Sequence, residues 1–327
     1  MNKAIYLSIL FIFMVLASCG NIKNYDAKVE VEPGTEILQA GIGNYTAKTV
    51  KKAVQTDEKN PMLGFWVGYF EQAKTSRESI SIDEGFYWNR ENKINISIDE
   101  IKDGLVKGHS VVAGNDRPFS GTITETKNST GHTIYSFEVS EPGDHKYDGQ
   151  FTFVIYAGRL KGTWTAYKDI EIKNRQYDLG KEFFEYDPNA QLRDQKRYID
   201  WGKYIEEKKT YDEYDEHGEM LEWIEKEYAS ATDKIYEINA SNMLLKKEDV
   251  ENLKKGDLTI IRNTIYARHG YSFKNRPLRV FFDAQDWYIP VHTDIKADFT
   301  ELEIKNIQLL LSYEKNAAEY YDSFGRG

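Results

Sequence analysis

Lys93-Ile94-Asn95-Ile96-Ser97-Ile98 sets how the first half of this chain is read. Isoleucine takes every second position with a polar residue between, the two-residue period of a strand that buries one face. Phe151, Phe153 and Ile155 repeat that period against Thr152 and Val154. Outward from these lie further β-forming runs: Gly64 to Phe70, Gly85 to Trp88, Leu105 to Val112, Phe119 to Thr124, Thr133 to Val139 and Leu160 to Tyr167. Between the runs stand turn formers: Asp103-Gly104, Gly114-Asn115-Asp116, Ser129-Thr130-Gly131, Pro142-Gly143-Asp144 and Ala157-Gly158. About eight short strands with tight turns predict an antiparallel meander over residues 61–185. It is closed as a barrel or folded as a sandwich.

Upstream, Lys3 precedes an apolar run from Ile5 to Leu16, within the length of a secretory h-region and short for a membrane span. It ends in Leu16-Ala17-Ser18-Cys19-Gly20. This resembles the bacterial lipoprotein signal peptide, in which a cysteine after small residues is lipidated and becomes the new N-terminus. Several acyl chains on one residue give stable membrane attachment. The alternatives are an ordinary signal peptide with a chance cysteine, or an N-terminal anchor. Gly20, in place of Asp, gives no inner-membrane retention signal by the enteric rule, so the outer membrane is the expected destination. Residues 20–60 are polar and interrupted by Pro33-Gly34 and Gly41-Ile42-Gly43-Asn44, which reads as a tether. Cys19 is the single cysteine, so no intramolecular disulfide and no cysteine-bound zinc is expected.

With 327 residues, two folded units plus connectors are expected. The net charge of −10 argues against a nucleic-acid partner, which needs a basic footprint. His109, His132 and His145 have no metal-ligand spacing and read as surface or turn histidines. Residues 186–237 are charge-dense and read as an irregular, partly ordered bridge. Tyr198, Trp201, Tyr204 and Ile205 recur at helical spacing, while Tyr211 to Glu219 resembles a hairpin around Gly218. The cluster Asp212, Glu213, Asp215 and Glu216 lacks the glycine and terminal glutamate of a calcium loop, and reads as a solvated charge run.

From 238 to 320 the texture becomes helical. Val250 and Leu253 share a face ahead of Lys254-Lys255, and Asp257 reads as the N-cap of the next helix. Leu258, Ile261, Ile265 and Ala267 or His269 form its inward stripe, leaving Arg262 and Asn263 toward a neighbour or solvent. Gly270 falls where a left-handed residue ends a helix, so valine there is expected to unfold the domain. Pro277 opens a third helix, and Thr300-Glu301-Leu302-Glu303 fits a capping box for the last. The expected class is α+β and multidomain, a β meander followed by a small, mainly helical domain.

Tyr266-Ala267-Arg268-His269-Gly270 is the naming motif of the YARHG domain, and its flanks agree with that family. They are Arg262-Asn263, Phe273, Phe281-Phe282, Trp287-Tyr288-x-Pro290 and Glu303-x-x-Asn306-Ile307. The resemblance implies a small helical extracytoplasmic domain attached to envelope proteins, with no catalytic residue to carry over. More weakly, Gly64-Phe65-Trp66 and Gly162-Thr163-Trp164 are similar to lipocalin-like barrels, in which a tryptophan plugs one end. Asp283, Asp286 and Glu303 are the candidate carboxylate partners of Arg268 and His269. As structural residues, His269 caps helix carbonyls or packs beside Trp287, and Arg268 bridges helices through a carboxylate. The motif, with Trp287 and Tyr288, thus reads as structural, and neither catalytic residues, metal nor cofactor is expected.

The leading reading is a lipid-anchored, non-enzymatic binding or structural module of the envelope, with a cell-wall glycan or envelope protein as partner. The alternatives are a lipophile carrier using a barrel cavity, and a hydrolase or hydrolase accessory with its site near Arg268 and His269.

Overall fold

The computed structural model describes residues 60–73, 91–194, 196–214, 218, 220–295 and 298–317. Cys19, the tether and the run from Gly85 to Trp88 lie outside the described residues. Eight strands form a closed antiparallel barrel in chain order. They are β1 (Gly64–Gln72), β2 (Asn92–Lys102), β3 (Leu105–Val112), β4 (Asn115–Lys127), β5 (Thr133–Ser140), β6 (Gly149–Tyr156), β7 (Arg159–Ala166) and β8 (Asn174–Glu182). Each pairs with the next, and β1 closes on β8 with Phe65 opposite Glu182 and Phe70 opposite Tyr177. Barrel, not sandwich, is the outcome.

Three hairpins, at Asp103-Gly104, Ala113-Gly114 and Ala157-Gly158, turn through two residues that both have positive φ. That is the loop whose twist matches the strands it joins. Alternation survives intact in β6, where buried and exposed residues alternate along the whole strand. In β2 it does not: Asn92 to Ile98 are all buried. Ile94, Ile96 and Ile98 enter the barrel core, while Lys93, Asn95 and Ser97 are buried on the opposite face. That outer face is covered by residues that follow the barrel in the chain: Asp283 and Gln285 bond Lys93, and Ile289 and Val291 pack on Phe65 and Val67 of the paired strand.

The barrel interior is aromatic. Phe119 on β4 lies 6.0 Å from Phe151 on β6, and Phe151 lies 6.3 Å from Phe70 on β1. Trp164 and Tyr177 pack on the same two phenylalanines at 5.5–6.4 Å. Rings therefore touch from wall to wall at this level, consistent with an eight-stranded barrel just wide enough for side chains to fill it.

The segment expected as an irregular bridge instead contains a long two-stranded antiparallel ribbon, β9 (Ile199–Tyr214) with β10 (Met220–Ser230). Tyr204 and Tyr228 face each other across it, so Tyr204 belongs to a strand. Helical spacing there was coincidental: a two-stranded ribbon exposed on both faces shows no clean alternation. A 3₁₀ turn (Asp233–Tyr236) leads into four helices: α1 (Lys247–Val250), α2 (Lys255–Arg268), α3 (Arg276–Asp283) and α4 (Glu301–Glu314). α2 starts three residues before the expected point, with Lys254 and not Asp257 at its N-cap. Asp257 is at its third position, where its carboxylate accepts from the main-chain N–H of Lys254 and Thr232. Asn275 caps α3 ahead of Pro277, and Thr300 with Glu303 forms the expected capping box of α4.

Candidate functional site

The end of α2 explains the spacing Tyr-Ala-Arg-His-Gly. Gly270 N–H donates to Ala267 O at 2.9 Å and Tyr271 N–H to Tyr266 O at 3.1 Å, the paired bonds of a Schellman turn. Gly270 has φ +74°, and a Cβ there would stand 3.0–3.1 Å from Phe184 and Val291. Its carbonyl accepts from the N–H groups of Val291 and His292. Tyr266 and Ala267 are buried, with the Tyr266 ring 4.9 Å from that of Phe299.

His269 stands at the helix cap but bonds elsewhere. Its Nε2 lies 2.9 Å from Glu303 Oε2, and its ring stacks on Tyr186 at 4.2 Å. Tyr186 donates its hydroxyl to Glu303 Oε1 at 2.9 Å, so Glu303 joins the two rings. Burial alone would raise the Glu303 carboxyl; the bond to His269 and the Thr300 N–H hold it below the usual carboxylate range. Burial and the neighbouring Glu303 charge push the Tyr186 phenol up. The carboxylate lies between hydroxyl and imidazole. A hydrolytic triad needs the imidazole between carboxylate and hydroxyl, to draw the proton from the nucleophile.

Arg268 was expected to meet a carboxylate. Instead its Nε and Nη2 both donate to the carbonyl of Ala190, at 3.0 and 2.7 Å, and Nη1 donates to Ser241 Oγ. Burial lowers this guanidinium to about 10. Trp287 packs edge-on against Tyr288 rather than beside His269, and its Nε1 donates to the carbonyl of Gln191. Phe184, Tyr186, Ala190 and Gln191 all belong to one strap, the stretch that follows β8. Asp286 pairs with Arg193, just past the strap.

A second polar cluster joins lobe to barrel. Lys93 Nζ donates to the carbonyls of Gln285 and Tyr288 at 2.7 and 2.9 Å, and Lys93 N–H donates to Asp283 Oδ2 at 2.8 Å. Burial lowers the Lys93 ammonium and lifts the Asp283 carboxyl to about 7. Tyr69 donates to Asp283 O, and Tyr288 to Tyr271 O. Lys93 carries no sequence signal, because it is in phase with polar Asn95 and Ser97. Alternation of Phe184 and Tyr186 with Phe183 and Glu185 was the available sign of a strap that faces a surface.

His109 bonds Asp99, His145 approaches Arg117 and His132 lies in a turn; among the described residues no group of His, Cys, Asp and Glu could hold a metal ion. Of the acidic run 212–216, no side chain falls among the described ones.

An eight-stranded antiparallel barrel carrying a small helical lobe is thus the class of protein defined. Residues 233–315 match the family model described as the YARHG domain, at the C-terminal end of the barrel-bearing chain. No curated relative matches the chain. Among solved structures, fatty-acid-binding protein 1 of Echinococcus granulosus is similar at 16% identity, over 36% of this chain and 96% of that one. Its TM-score is 0.19, and at that value the likeness carries no argument.

Proposed function

We propose that this protein is a non-enzymatic binding or structural module of the bacterial envelope, tethered to the outer membrane by lipid on Cys19. The observation that carries the non-enzymatic half is the engagement of the motif. Arg268 and His269 hold the strap and α4 through buried bonds, with the carboxylate in the wrong place for acyl transfer. The anchoring half rests on Leu16-Ala17-Ser18-Cys19. A lipophile carrier would require the rings of Phe70, Phe119 and Phe151 to part, which favours an outer surface as the place of binding.

Two measurements test this. The full chain should incorporate labelled palmitate and fractionate with membranes, and Cys19→Ala should do neither; a labelled, membrane-bound Cys19→Ala protein sinks the anchor. Purified sacculi should retain the full chain above a heat-denatured control, and equal retention counts against a wall glycan. If instead the fluorescence of Trp66 and Trp164 responded saturably to a lipophile panel, the carrier reading would replace this one.

A further inference from the structure

Between the β3–β4 hairpin and the lobe lies a cleft of about 520 Å³. Its walls carry Asn115, Asp116 and Arg117 from the barrel, and Tyr271, Lys274 and Thr293 from the lobe. This is within the usual size for a small-ligand site, and such sites favour the junction of two packed units. The junction is held tightly. Gly114, with φ +70°, donates its N–H to Ser272 Oγ at 2.9 Å, and a Cβ at 114 would stand 2.8 Å from Lys274 N.

The polar groups divide into engaged and unengaged. Arg117 is neutralised: its guanidinium meets the buried carboxylate of Asp148 at 2.5 Å and His145 Nδ1 at 2.8 Å. Asn115 donates to the carbonyl of Ala113. Asp116 on the barrel wall and Lys274 on the lobe wall are both exposed, and neither forms a close ion pair among the described residues; the Asp116 charge reaches the imidazoles of His109 and His292 through space. Opposite charges thus line one cleft without meeting. A ligand of single charge would satisfy one wall only. One bearing an ammonium and a carboxylate would satisfy both, since charge-assisted hydrogen bonds are the strong ones. A polar lining of this kind offers nothing to an acyl chain.

We propose that this cleft binds a small zwitterion, of the class of short peptides with free termini. The ammonium meets Asp116, the carboxylate meets Lys274, and the Thr293 hydroxyl donates a further hydrogen bond. The proposal does not depend on where the chain is anchored.

The test titrates the full chain with tri-L-alanine, its N-acetylated form and its C-amidated form, by calorimetry with amide-resolved NMR. Tri-alanine should bind saturably and shift the amides of residues 114–117 and 271–274. Blocking either terminus should weaken binding about tenfold, the size of one lost charged hydrogen bond. Asp116→Asn should make the free and acetylated peptides bind alike, and Lys274→Met the free and amidated ones. Both side chains are exposed, and an unchanged melting curve verifies that each variant is folded. Absence of saturable binding overturns the proposal. So does equal binding of blocked and free peptides to the wild type, or variants that keep the wild-type preference.

Discussion

The barrel and the helical lobe solve the same problem of burial by opposite means. Inside the barrel the side chains are mostly isoleucine, phenylalanine and tryptophan, and the main chain is satisfied strand to strand. The lobe has short helices and long connections, so main-chain groups are left over, and buried polar side chains take their place. Asn306 accepts from Leu245 N–H and donates to the carbonyls of Ala240 and Met243. Gln285 bridges to the N–H and carbonyl of Arg193. α2 buries twelve of its fourteen residues, Arg262 and Asn263 among them. Where ladders are scarce, side chains become the framework, because an unpaired buried peptide group costs more than a buried amide that pairs it.

The largest effect expected is at Arg262, whose Nε lies 2.8 Å from Glu314 Oε2 with both side chains nearly buried. Burial would raise Glu314, and Arg262 holds it below the usual carboxylate range. Arg262→Met leaves that charge without its guanidinium, with the Thr259 hydroxyl still bonded to it, and should cost about 3–5 kcal/mol by denaturant melting. Adding Glu314→Met should recover much of the loss; a double variant as unstable as the single one would show that shape, not charge, governs the position.

Next comes Gly270→Val. Positive φ is costly for a β-branched residue, and the Cβ crowds Phe184 and Val291. A loss of about 3 kcal/mol is expected, with collapse of the Tyr186–His269 stack in near-UV dichroism. Unchanged stability would place Gly270 outside the left-handed region.

The barrel has its own exception, and it gives the smallest effect. Glu141 is buried, accepting from Gly149 N–H at 2.7 Å, Trp164 Nε1 at 3.2 Å and Ser110 Oγ at 3.3 Å. Burial lifts its carboxyl to about 7. A folded pKa above the unfolded one means the folded state holds the proton more tightly. The stability it contributes is full below about pH 4.5 and lost as pH rises through about 7. Glu141→Gln keeps the bonds from Gly149 and Trp164 on its amide oxygen and turns its NH2 to donate to Ser110 Oγ, all without the charge. It should raise stability at pH 8 by on the order of 2 kcal/mol and change little at pH 4. A pH profile parallel to the wild type would refute this.

The same contrast governs what was readable beforehand. Strands with one dry face and one wet face, such as β6, announce themselves by alternation. β8 does not, because only Tyr177 and Leu179 are fully buried among its polar neighbours. The cap of α4 and the turn at Gly270 were legible because they rest on residues close in sequence, Thr300 with Glu303 and Ala267 with Gly270, whereas the N-cap of α2 fell at Lys254 and not at Asp257. Glu303 stood among the carboxylates expected for Arg268 and His269, but the carbonyl of Ala190 and the phenol of Tyr186 were not legible, because they are contributed from about 80 residues away. No local pattern encodes a carbonyl.

The strap that follows β8 bears on where this module begins. The family match opens at residue 233, yet the strap lies before it. A fragment cut at 233 would leave Arg268 with only Ser241 and without the Ala190 carbonyl, and Glu303 without its phenol. The pentapeptide Tyr266–Gly270 is a socket, and its plug is borne by the stretch that precedes the family match. Swapping this lobe between proteins therefore means moving the strap with it, from Phe183 onward.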